Sequence, residues 1–283
     1  MQANSQPSFF SLLNPLCLCQ TLYRHRHLLW QFTWRNIEMR HRGSFLGILW
    51  SVLNPLSMLA LYVFVFGYIF EGRFGVVPNE SKWDYGLGIF LGLSVFHLIS
   101  ESIVIAPTII TGNPNFVKKV VFPLEILPAS AVGAAVFHMT ITVVMIVVGL
   151  LLGGRSLSLS ALWLPVIMLP MVALALGLAW LLAALGVFFR DIGQLVGAAA
   201  TALMFASAIF YPASRVAEKA PLAWPFIRWN PLIHAVEAAR DVLIWDRPFS
   251  TYKVGMLYLA GGLAALIGFA CFARSKRAFA DVM

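Results

Sequence analysis

Six stretches, each of about 20 apolar residues or more, constrain this chain more than anything else, because a run of that length matches the hydrocarbon thickness of a bilayer. They fall at residues 44–70, 86–108, 124–152, 161–189, 194–211 and 252–272. Only 11% of the 283 residues are charged, whereas a water-soluble domain carries about a quarter. Mean hydropathy is +0.83. Backbone in lipid has no water to bond to, and helices satisfy their own amides and carbonyls internally. The expected fold is therefore an all-α integral membrane protein with six transmembrane helices.

A net charge of +8 would suggest nucleic acid as the partner of a soluble protein. Here the cations crowd the span ends, the pattern of cytoplasmic segments that meet anionic lipid, so membrane lipids are expected as partners and nucleic acid is not. An even number of crossings returns both termini to one side. Arg24, Arg26, Arg35, Arg40, Arg42, Lys118, Lys119, Arg190, Arg274, Lys276 and Arg277 would then share that side with few acids. That imbalance places both termini in the cytoplasm. Residues 1–20 lack a cationic start, an apolar run and a small-residue cleavage site, so no secretory signal is expected. Cys17 and Cys19 form a C-x-C, and Cys271 lies in the last span. No second Cys or His pair stands at metal-ligand spacing, so neither a metal nor a bound cofactor is expected on this chain.

The chain divides into an N-terminal segment (1–43), a membrane domain (44–273) and a short cytoplasmic tail (274–283). Within the first, residues 22–42 read as an amphipathic helix lying in the membrane surface. Tyr23, His27, Trp30, Trp34 and Ile37 recur along one side, facing lipid, and Arg24, Gln31, Arg35 and Glu38 along the other. In span one, Asn54-Pro55 predicts a kink, and Gly43 with Gly47 makes a G-x-x-x-G that permits close helix contact. Pro165 and Pro170 predict an interruption of span four. His97 and Glu101 stand four apart in span two, so they share a face and can hydrogen-bond. His138 and Thr142 share a face of span three. A carboxylate at this depth must face protein or water. His97, Glu101 and His138 are thus the polar intramembrane candidates, either lining a pathway or forming a structural His–Glu bond.

Two connections are unusual. Residues 111–123 offer Phe116, Val117, Val120 and Val121 beside Lys118 and Lys119 after a Gly112-Asn113-Pro114 turn, the chemistry of a docking surface for another protein. Residues 212–248 are too long for a hairpin and too apolar for a solvated loop. Proline-broken apolar pieces shorter than a bilayer predict re-entrant helices. Residues 233–245 would be a short helix with Glu237, Arg240 and Asp241 as local charge pairs. No G-x-S-x-G nucleophile turn and no G-x-x-x-x-G-K-[ST] phosphate loop is present. If the chain moves a substrate, the energy arrives from a partner.

The segments GSFLGILWSVLNPL, NPNFVKKVVFPLEILP and WNPLIHAVEAARD, in that order among six spans, resemble the membrane subunit of ABC-type exporters of lipid-linked polysaccharides, the group that exports O-antigen, capsule and teichoic acid. The resemblance runs from about residue 28 to the C-terminus. It implies a homodimer paired with two copies of a separate subunit that binds ATP and Mg. Asn113, Pro114, Asn115, Phe116, Val117, Lys118 and Lys119 would couple to that ATPase. Trp224, Arg228, Trp229, Asn230 and Pro231 would belong to extracytoplasmic gate helices. The cargo would be a glycan on undecaprenyl pyrophosphate, carried across a bacterial cytoplasmic (inner) membrane. Arg35, Arg40 and Arg42, just before span one, suit either its pyrophosphate or anionic lipid headgroups. Trp50, Tyr62, Phe66, Phe96 and Phe210 offer stacking surfaces for sugars. A permease for a drug or plain lipid, and a polyprenyl-linked glycosyltransferase, stay open as alternatives.

Overall fold

The computed structural model describes residues 15–117 and 122–282, and the described residues form helices joined by turns without strands. Two helices, α1 (Pro15–Arg24) and α2 (Arg26–Arg40), precede the bundle. Among the described residues, five helical stretches are long and apolar enough to cross a bilayer: Gly47–Ile69, Lys82–Ile109, Ile126–Leu152, Leu159–Phe188 and Thr251–Val282. The expected fifth crossing is different. Its helix α8 (Ile192–Phe205) has 14 residues, about 21 Å of rise against about 30 Å of hydrocarbon. It gives way to irregular backbone at residues 206–212 instead of continuing to residue 211.

The first crossing changes winding along its length. A 3-10 turn (Gly47–Leu49) leads into α3 (Trp50–Tyr62), which ends in a π-helical turn (Val63–Ile69). Pro55 sits inside α3 and the helix continues through it. Gly43 and Gly47 adopt φ of +84° and +51°, and a side chain at either would meet no atom within 4 Å. They supply left-handed turn geometry where the chain leaves α2, which replaces the expected close-packing motif.

The second crossing, α4 (Lys82–Ile109), is the centre of the bundle, buried along most of its length. It starts four residues before the apolar run because Ser81 and Asp84 form a reciprocal capping box, each side chain bonding the other's backbone N–H. After the short α5 (Pro114–Val117) come α6 (Ile126–Leu152) and, behind a 3-10 turn at Leu159–Trp163, α7 (Leu164–Phe188). Neither expected proline break interrupts α7. Pro165 lies in the first turn, where its missing N–H has no intrahelical acceptor, and Pro170 is carried inside the helix. Three short helices, α9 (Ala213–Lys219), α10 (Trp224–Ile227) and α11 (Pro231–Leu243), occupy the stretch read as re-entrant. The last crossing begins as α12 (Thr251–Ser275) and continues through a 3-10 turn into α13 (Phe279–Val282).

We call the end that carries α2 basal and the other apical. At the basal end Lys276 is ion-paired to the buried Glu125 at the head of α6. The Trp180 indole donates to the Glu125 carbonyl at 3.0 Å, and Phe279 is fully buried beside Phe272 and Phe188. At the apical end Arg155 bonds Asp84 at 2.6 Å, and the Trp83 indole donates to the Gly149 carbonyl at 2.9 Å. α12 and α7 meet backbone to backbone: a Cβ added at Gly268 would lie 2.0 Å from the Gly177 carbonyl oxygen. Gly268→Ala is therefore expected to destabilise the chain by about 2 kcal/mol through overpacking. Gly262→Ala, with nothing within 4 Å of its added carbon, should hold or slightly raise the melting midpoint of the detergent-solubilised protein, because alanine suits a helix interior better than glycine.

Candidate coupling and gate elements

The surface helix α2 docks on α6 through Phe32, Thr33 and Ile37, which are buried. Thr33 fits against Gly133, where a Cβ would come within 2.6 Å of its hydroxyl. Asn36 donates to the Ser130 hydroxyl at 3.0 Å. Tyr23, Trp30 and Trp34 are exposed, and Trp30 and Trp34 stack at 6.2 Å. The expected lipid-facing stripe thus loses its last member: Ile37 falls at the edge of the aromatic arc and turns inward.

The segment expected to couple, residues 113–117, is tied to that helix. Asn113 donates to the Ile109 carbonyl at 2.9 Å and so closes the end of α4. Pro114 and Asn115 are exposed, whereas Phe116 and Val117 are half-buried. The Phe116 ring stacks on Phe122 at 4.5 Å and meets Phe32 of α2 edge-on at 5.4 Å. Phe116 is therefore not the freely exposed apolar residue that the sequence suggested. It anchors the segment and leaves Pro114 and Asn115 presented outward. Lys118 and Lys119, with Val120 and Val121, lie outside the described residues.

The three arginines do different work. Arg35 stands over the Phe32 ring at 4.3 Å and 5.8 Å from Phe116, capping the aromatic cluster. Arg40 donates to the Glu101 carboxylate at 2.7 Å, and the His138 Nδ1 lies 3.0 Å from the same oxygen. Arg42 is exposed. The expected His97–Glu101 bond is not formed. Glu101 is claimed by two side chains from neighbouring helices, and the guanidinium bond is the stronger kind. His97 is exposed beside Phe96.

At the apical end the chain meets the problem of a helix stopping short. The last carbonyls of a helix have no intrahelical donors, and in lipid they cannot borrow water. Side chains supply the donors. Asn230 donates to the Ala206 carbonyl and the Ser207 hydroxyl, each at 3.0 Å. Arg240, 3% exposed, donates to the carbonyls of Ala208 (2.9 Å), Ile209 (2.5 Å) and Gly88 (2.9 Å). Its guanidinium also lies 4.1 Å from the Phe74 ring centroid. Tyr85 donates to the Phe210 carbonyl at 2.9 Å. Arg240 was expected to pair locally with Glu237 and Asp241, and it does not; Glu237 faces Lys253 at 3.5 Å instead. A sequence signal existed: Arg240 falls one turn after Val236 and two after Leu232, on the apolar face of α11, where a solvated cation would not be placed.

The remaining gate candidates separate by exposure. Asn230 caps α11 by accepting from the Leu232 amide at 3.0 Å, with Pro231 in the first helical turn. Trp224 packs against the buried cluster of Ala208, Ala213 and Ile233. Trp229 is 65% exposed, with the Arg228 guanidinium 5.3 Å from its ring, so of the two tryptophans only Trp224 packs within the chain.

A bundle of bilayer-length helices, flanked at one end by the helix α2 and closed at the other by short broken helices, defines a multi-pass membrane protein. The chain belongs to the ABC-2 type transporter family, which its sequence matches over residues 27–244. Among curated proteins it is similar to the O-antigen export system permease protein RfbA of Klebsiella pneumoniae, 28% identical over 257 residues, covering 90% of this chain and 95% of that protein. It is also similar to RfbA of Myxococcus xanthus, 28% identical over 81% of this chain and 85% of that protein. The polysialic acid transport protein KpsM of Escherichia coli is 23% identical over 74% of this chain and 78% of its own length.

Proposed function

We propose that this chain is the membrane subunit of an ATP-driven exporter that moves a polysaccharide of O-antigen or capsule type, linked to undecaprenyl pyrophosphate, across the bacterial cytoplasmic membrane. Two copies pair with two copies of a separate subunit that binds ATP and Mg, and both termini lie on the ATPase side. The observation that carries the reading is the aromatic clamp of Phe32, Phe116 and Phe122 under Arg35. It joins residues 113–117 rigidly to the surface helix in a chain that has no phosphate-binding loop of its own, which is what transmitting a partner's stroke requires. The relatives' named cargoes supply the substrate class. Of the three arginines before the first crossing, Arg42 is the one available to a pyrophosphate, because Arg40 is committed to Glu101.

Phe116→Asp should abolish both co-purification of the ATPase and export, since a carboxylate dissolves the clamp. Asn115→Glu tests docking alone, because its side chain is exposed and takes no part in the clamp; it should weaken the complex while the melting midpoint of the free chain holds. Full co-purification and export by both variants would refute the coupling assignment.

A further inference from the structure

A cleft of about 430 Å³ opens between α2, the first crossing, α4 and α6, within the size range of small-ligand sites. Arg40, Glu101 and His138 lie at its basal side, and Trp50, Tyr62 and Phe90 contribute ring surfaces. Measured along α4 from Ile109, Glu101 lies about 12 Å and Ser94 about 22 Å into the helix. The cleft therefore reaches from the surface layer to the middle of the bilayer.

Two of its lining residues carry buried polar atoms that have no partner, Ser94 Oγ and His138 Nε2. Ser94 is 3% exposed. The hydroxyls of Ser57, Ser102, Thr140, Thr142 and Thr201 each donate to the carbonyl one turn earlier, the ordinary fate of a hydroxyl on a membrane helix. Ser94 leaves that bond unmade. An acyl chain filling the cleft would leave both atoms orphaned, whereas a hydroxylated ligand would satisfy them.

The charge balance narrows the ligand further. Arg40 and Glu101 neutralise each other at 2.7 Å, and burial, with help from the Arg40 cation, pushes the His41 imidazole below its usual range. A phosphate would find no uncommitted full charge among these lining groups. Neutral hydrogen-bonding groups interleaved with aromatic surfaces suit a ring that is polar at its edges and apolar on its faces. We propose that the cleft is a binding site for a short saccharide segment of the exported glycan, with ring hydroxyls on Ser94 and His138. This rests on the export reading above.

The test uses the complete complex with its ATPase in nanodiscs, with the photoreactive p-benzoylphenylalanine placed at Met139, inside the cleft, or at Val144, which is exposed on the same helix. Three probes are compared: the lipid-linked glycan, the same glycan freed by mild acid, and undecaprenyl pyrophosphate without sugar. Cross-linking of both glycan probes at Met139 and not at Val144, with none to the bare pyrophosphate, is the expected result. Ser94→Val should then reduce the yield about fivefold, the worth of one hydrogen bond. Equal cross-linking of the bare pyrophosphate would overturn the proposal in favour of a headgroup pocket. Absence of glycan cross-links, while lipid-linked glycan still stimulates ATP hydrolysis, would overturn it and leave the export reading standing. Absence of both would remove the export reading, and this one with it.

Discussion

Arg240→Met is expected to lower the melting midpoint of the solubilised protein by about 10 °C or more. The substitution keeps the bulk and removes three charge-assisted hydrogen bonds, each contributing about 1.5 kcal/mol; two are to the Ala208 and Ile209 carbonyls, which lie outside any helix, and the third is to Gly88 within α4. For a chain of this size each kcal/mol moves the midpoint by about 2–4 °C. Because Ala208 and Ile209 belong to the backbone that follows α8, the same change should free the apical end of that short helix. Glu237→Gln is the control. Its carboxylate touches only Lys253 at 3.5 Å, both side chains being partly exposed, and such pairs contribute about 0–1 kcal/mol. Equal losses in the two variants would show that Arg240 acts through local charge and not through the carbonyls.

The second large effect is expected at the basal triad. Arg40→Met leaves the Glu101 carboxylate inside the bundle with only His138 beside it, and should destabilise the chain by about 3 kcal/mol. Adding Glu101→Gln should recover about half of that loss, because a neutral amide costs less to hold there than an unpaired charge. The coupling energy from the double-mutant cycle measures the pair directly. An additive result would show that the two side chains do not depend on each other.

These two clusters also show where the sequence was legible and where it was not. Crossing helices declare themselves by run length alone, which is a local property; the helix before them was legible only in part, since Ile37, read as lipid-facing, is buried against α6. The partners of Glu101 are not local. His97 one turn away offered the obvious bond, but Arg40 and His138 stand 61 and 37 residues distant. Gly88, which receives the Arg240 guanidinium, is 152 residues from it. The end of α8 was hidden for the same reason. Residues 206–211 are apolar enough to continue a helix, and only donors from α4 and α11 make it possible to stop. The G-x-x-x-G reading failed differently: Gly43 and Gly47 had the right spacing, but their positive φ belongs to a turn. The close glycine contacts include Gly177, Gly261 and Gly268, which the sequence marks by the small-x-x-x-small spacings of Ala173 with Gly177, Gly261 with Ala265 and Ala264 with Gly268.

The ion pair between Glu125 and Lys276 joins positions 151 residues apart. A ribosome adding about 5–20 residues per second needs roughly 8–30 s to travel that distance. During that interval the carboxylate at the head of α6 is already in the membrane and its cation has not been made. The nascent chain thus carries an unmatched acid at the bundle's base until Lys276 emerges. A chain lacking Lys276 never loses that defect.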